Sequence, residues 1–112
     1  MAEFNLKRND TLPYLDVRLK ESSTEYTDLT VSGVTVNFTM KNFDTGVLKI
    51  DSASCSILNA AGGSVRYSWQ DIDTDEAGVF LGEFEVIFPT GKKTYPPDDS
   101  LIINITEDFN ND

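Results

Sequence analysis

Histidine is missing from this sequence altogether, and cysteine occurs once, as Cys55. Without histidine the chain lacks the commonest general base, the usual partner of a nucleophilic serine or cysteine, and the usual nitrogen ligand of zinc and copper. A lone cysteine excludes an intrachain disulfide and leaves almost nothing for a soft-metal site within one chain. Positive charge is also scarce: 19 Asp and Glu outnumber nine Lys and Arg, for a net charge of −10. No cationic stripe exists to displace counterions from nucleic-acid phosphates, and anionic membrane is disfavoured for the same reason. No apolar run approaches the length of a membrane span. Met1-Ala2-Glu3-Phe4-Asn5 shows no basic region leading into an apolar stretch, so no signal peptide is expected and synthesis in a cytoplasm without classical export follows. Gly62-Gly63 lacks the Lys-Ser/Thr and helix of a phosphate-cradling loop. The expected partners are therefore neither nucleic acid nor membrane, no cofactor is expected, and the chain is not expected to be an enzyme.

What the sequence does have is period-two alternation of apolar residues, the signature of strands with one buried face. It runs through Leu15, Val17 and Leu19, then Val34, Val36, Phe38 and Met40, with a turn at Asn42-Phe43-Asp44-Thr45-Gly46. Val47 to Ile50 begins the next strand, and Ala53, Cys55 and Ile57 continue it, which places Cys55 inward as a small buried hydrophobe. Asn59-Ala60-Ala61-Gly62-Gly63 reads as a hairpin loop. Val65, Tyr67 and Trp69 alternate, as do Phe80, Gly82, Phe84, Val86 and Phe88 before Pro89-Thr90-Gly91 turns the chain. After a break at Pro96-Pro97-Asp98-Asp99-Ser100, Leu101, Ile103 and Ile105 form the last strand, and residues 108–112 are expected to fray. No segment carries a useful helical stripe. The sequence predicts one domain over residues 1–112, an all-β, immunoglobulin-like antiparallel β-sandwich of about seven strands. A closed oligonucleotide/oligosaccharide-binding barrel is the structural rival.

Two features are candidates for function. The first is the acidic run Asp71-Ile72-Asp73-Thr74-Asp75-Glu76, which opens like a calcium loop. The match then fails, because Glu76 stands at the sixth position, where the turn needs glycine, and Gly82 at the twelfth, where a bidentate glutamate belongs. Two readings remain: an irregular calcium site using Asp73 and Asp75 with Asp98 or Asp99, or a solvated acidic loop. Paired carboxylates also serve glycoside hydrolysis, but so small a domain offers no deep cleft to hold a sugar. The second feature is a pair of tyrosines beside prolines, Tyr14 and Tyr95. Tyrosine gives large contact area at little entropic cost, so Tyr14, Tyr95 and the Asp71, Asp73, Asp75 and Glu76 loop are the expected contact residues, with core or edge packing as the other reading of the tyrosines.

An ordered series of motifs resembles a known family. Phe4-Asn5-Leu6-Lys7-Arg8-Asn9-Asp10-Thr11-Leu12-Pro13 is similar to the opening strand and Asp-Thr-x-Pro turn of immunoglobulin-like structural domains of tailed bacteriophages, best known as the N-terminal domain of baseplate upper proteins. Asp28-Leu29-Thr30 and Gly33 to Lys41 resemble its second strand. Gly63 to Trp69, Asp73-Thr74-Asp75-x-x-Gly78-x-Phe80, Glu83-Phe84-Glu85-Val86-x-Phe88-Pro89-x-Gly91 and Thr94-Tyr95-Pro96 resemble the later ones. In baseplate upper proteins a C-terminal extension holds receptor-binding proteins, and this sequence shows no counterpart of it. The resemblance therefore implies the fold and a place in the virion, in tail, baseplate, neck or head decoration. There it implies a small structural protein acting on other virion proteins in a homo-oligomeric or otherwise symmetric assembly. From the residues alone, the alternative is a stand-alone carbohydrate-binding or adhesion module, calcium-assisted if the acidic loop takes part.

Overall fold

A computed structural model describes residues 3–22, 24–96, 101–107 and 109. Asp98, Asp99 and, apart from Phe109, the expected tail at 108–112 lie outside the described residues. Alternation becomes pairing almost wherever the sequence shows it. β1 (Glu3–Lys7), β5 (Thr35–Asn42), β6 (Leu48–Ser54), β9 (Gly78–Phe88), β10 (Gly91–Tyr95) and β11 (Leu101–Thr106) form one sheet. Its order is β1-β11-β9-β5-β6, with β10 also on β9. β2 (Leu15–Arg18), β7 (Ser56–Asn59) and β8 (Ser64–Tyr67) form the second, in the order β2-β8-β7. A small hairpin of β3 (Lys20–Ser22) and β4 (Glu25–Tyr26) lies beside them. This is an all-β sandwich of two unequal sheets.

The long strand β9 organises the larger sheet. β5 pairs along one side of it, while β11 and β10 share the other, on residues 78–82 and 84–88. The expected antiparallel pattern holds except at β1, which lies parallel to β11 with Leu6 opposite Ile105. A parallel pair needs a long connection, and here nearly the whole chain supplies it. Among the described residues the strands number eleven rather than about seven, because breaks at Leu19 and Cys55 divide what alternation reads as longer runs, and because the small hairpin and β10 carry no alternation of their own.

Between the sheets, Phe38 on β5 is the hub of the core. Its ring centre lies 5.0 Å from Tyr67, 5.0 Å from Phe84 and 5.9 Å from Trp69. Gly82 makes room for it, since a Cβ there would sit 2.8 Å from the Phe38 ring. Cys55 marks the crossing from one sheet to the other; its amide donates to the Val36 carbonyl at 2.9 Å. The thiol packs against the core, half-buried, and burial pushes its pKa up to about 12. That is an inert packing cysteine, as its inward register predicts.

Candidate functional site

Registers fix which loops meet. β1, β5, β8 and β11 finish at one end of the sandwich, where β2, β6 and β9 begin. Three loops therefore gather there, at residues 8–14, 43–47 and 68–77. The last contains a short 3-10 turn, Asp71–Asp73.

Hydrogen bonds tie the 8–14 and 68–77 loops to each other and the 43–47 loop to β9. The Asn9 amide donates to the Thr74 carbonyl at 2.8 Å, and the Thr74 hydroxyl donates to the Asp10 carbonyl at 2.9 Å. The Phe43 amide donates to the Val79 carbonyl at 2.9 Å. Lys49 Nζ reaches Asp75 at 2.6 Å. Asp73 is buried, and its Oδ2 accepts from the Tyr67 hydroxyl at 2.5 Å and from the Gln70 amide at 2.8 Å. Burial, then the bond to Asp73, raises the Tyr67 phenol above its ordinary range. In the 43–47 turn, Asn42 Oδ1 accepts from the amides of Asp44 and Thr45 at 2.8 and 3.0 Å, an Asx-type closure that needs no hydrophobic anchor.

Beside these bonds, several large apolar side chains are left outside. Ile72, next to the anchored Asp73, is 69% exposed; Val47 is 65%, Leu12 61% and Phe43 58% exposed. Leu48, Val79 and Tyr14, from strand starts and loops at the same end, are exposed as well. The same loops carry exposed acidic residues: Asp10, Asp44, Asp71, Asp75 and Glu76. No protein-family model matches the chain, and no curated protein matches it. The surface itself is thus the ground for a functional reading.

The residues singled out from sequence divide. Tyr14 is exposed, with the Arg66 guanidinium 4.5 Å over its ring; Arg66 in turn holds Asp16 through two bonds of 2.7 and 3.0 Å. Asp71, Asp75 and Glu76 lie on the surface of this end. Two expected contact residues are corrected, and for Tyr95 the core-packing reading is the one that holds. Tyr95 is only 1% exposed, because its register opposite Phe84 turns it into the core. Its hydroxyl donates to the Glu21 carboxylate, 2.9 Å from the nearer oxygen. Asp73 is neither a solvated acid nor open to a partner, since it is committed to Tyr67 and Gln70. Among the described residues no cluster of three metal-ligating side chains is present, and Asp75 is occupied by Lys49. Sequence reasoning passed over Leu12, Phe43, Val47 and Ile72. The available signal was large apolar residues inside turns, where a folding role gives no reason for them.

Proposed function

We propose that this chain is a non-catalytic binding and assembly module that docks through its apolar end, and that it serves as a small structural protein of a tailed-phage virion. The observation that carries the docking role is the set of outward apolar side chains on three loops held by hydrogen bonds to each other or to β9. Isolated exposed hydrophobes are ordinary, but a concentration of them at one end marks a contact surface. Loops held by internal hydrogen bonds lose little entropy on binding, so the apolar area converts to affinity efficiently. The acidic residues on the same loops favour a partner with basic residues beside an apolar patch, and steer its approach. The absence of histidine supports a role without catalysis. The virion setting draws its support from the ordered motifs shared with phage immunoglobulin-like domains. In such a particle a weak contact, repeated by symmetry, becomes a stable one.

The test is incorporation. The chain is expressed with the structural genes that neighbour its own, and assembled particles are purified and counted by quantitative mass spectrometry. Wild type is expected at a fixed copy number, and the double variant Phe43→Ser, Ile72→Ser is expected to be lost from particles while the free domain still folds. Incorporation of the variant at wild-type copy number would overturn the docking surface. Particles that contain no wild-type chain, or selective binding on a glycan array, would overturn the virion reading.

A further inference from the structure

The longest stretch without a charged side chain is residues 52–65, in a chain that is 25% charged. It contains the end of β6, the crossing at Cys55 and the whole of β7. Every other strand at a sheet edge carries charge: Glu3 and Lys7 on β1, Asp16 and Arg18 on β2, Lys49 and Asp51 on β6, Lys92 and Lys93 on β10. β7, Ser56-Ile57-Leu58-Asn59, carries none, and all four residues are exposed. Among the described residues it pairs with β8 alone, so its outer backbone edge is open. Ile57 lies opposite the buried Val65, which directs it at the core, yet it is 36% exposed, with no strand of the described residues on its outer flank. The register shifts between Ile57 and Asn59, leaving Leu58 as a bulged residue, 47% exposed.

Proteins guard open strand edges with charge, proline or a covering segment, since an unguarded edge is a template for another strand. β7 has only its shortness and its bulge. We infer that β7 pairs antiparallel with β7 of a second copy across a twofold axis. A basic partner gains nothing from its charge at an uncharged edge. Two copies that each carry −10 approach best where neither presents charge. An isologous contact of this kind closes on itself and stops at a dimer. It joins the smaller sheets into one, β2-β8-β7 continuing into its symmetry mate. Because the paired strands run in opposite directions, the two apolar ends point away from each other, and the dimer becomes a two-headed connector. The pairing stands without the docking role proposed above, whereas its use as a connector rests on it.

The test is sedimentation velocity with the purified chain over a concentration series, with amide exchange read at residues 56–59. Wild type should pass from the 12.5 kDa monomer to a dimer, with amides in β7 gaining protection as the dimer fills. Added salt should strengthen the dimer, because it screens the repulsion between acidic copies. Leu58→Lys, at an exposed site, should keep the monomer fold and weaken pairing by about tenfold or more, since it sets like charges at the joint. A wild-type chain that stays monomeric with concentration-independent exchange overturns the inference. So does a dimer that survives Leu58→Lys, one that salt weakens, or one removed by Phe43→Ser with Ile72→Ser and not by Leu58→Lys. Loss of particle incorporation with pairing intact would bear on the apolar end and leave the β7 contact standing.

Discussion

The two ends of the sandwich are both made of short loops, but they use polar groups in opposite ways. At the end where β9 begins, hydrogen bonds run inward. Asp73 turns under Tyr67, Thr74 holds the Asn9–Asp10 corner, and Ile72, Phe43 and Val47 are left facing water. At the other end, bonds close over the chain. The amides of Leu19, Thr27 and Leu29 donate to the carbonyls of Gly63, Leu19 and Ala60, each at 2.8 Å. Arg18 covers Tyr26 at 3.4 Å, and Glu21 receives both Lys93 and Tyr95. The second end is built for its own stability. The first holds loop positions steady while leaving apolar area unsatisfied, and a monomer gains nothing from that.

The largest expected effect comes from untying the apolar end. Asp73→Ala leaves the Tyr67 hydroxyl and the Gln70 amide without their acceptor. The buried Tyr67 hydroxyl so stranded costs about 1–3 kcal/mol, and the amide of the exposed Gln70 costs less because water can reach it. Urea unfolding should show a midpoint lowered by the combined cost, and Tyr67→Phe should lose less, because Asp73 keeps the Gln70 amide. An unchanged midpoint for Asp73→Ala would mean that the loops are not held from within.

Next is Gly63→Ala at the closed end. Gly63 has φ of +68°, and a Cβ there would lie 2.8 Å from the carbonyl oxygens of Leu19 and Thr27. Left-handed strain alone costs on the order of 1–3 kcal/mol, and backbone atoms cannot step aside as a side chain would. The loss should appear as a lowered melting temperature with docking unaffected. That separates the two ends by function as well as by construction.

How much of this was legible in the sequence follows from the physics of each signal. Alternation marks a residue pair that faces a core, so β2, β5, β8, β9 and β11 could be read directly. β10, Gly91-Lys92-Lys93-Thr94-Tyr95, could not, since its strand character comes from pairing with β9 rather than from its own side chains. The same missing strand explains Tyr95. Beside prolines it reads as a loop residue, and only its register shows it facing Phe84. Asp73 was hidden for another reason. In an acidic run every carboxylate looks alike, and only the 3-10 turn picks out the one that points inward. The apolar end was visible only as residues that fit no strand.

A subtler contrast concerns acid. The Lys93 ammonium, with the Tyr95 hydroxyl, holds the Glu21 carboxyl below its ordinary value of 4.5. A folded-state value below the unfolded one means that the ionised form favours folding. This stabilisation is present above 4.5 and is lost as pH falls through the folded value. Wild type should therefore melt higher than Glu21→Gln near neutral pH, with the gap closing on the acid side, as thermal melts over a pH series would show. A gap that stays constant across the series would place the contribution of Glu21 in packing rather than in its charge.

The smallest effect on folding is expected where the effect on assembly is largest. Ile72 already stands in water in the monomer, so Ile72→Ser removes no buried contact and should change stability by within about 0.5 kcal/mol. At the other end, Val31 is 49% exposed, and Val31→Ser makes the same kind of change on the same scale. If exposure alone made a surface adhesive, the two substitutions would weaken particle incorporation alike. If the cross-tied loops make the difference, Ile72→Ser should reduce incorporation while Val31→Ser leaves it at the wild-type level, with matching melting curves for both. Equal incorporation of the two variants would erase the distinction between the ends and return Ile72 to the ordinary population of exposed hydrophobes.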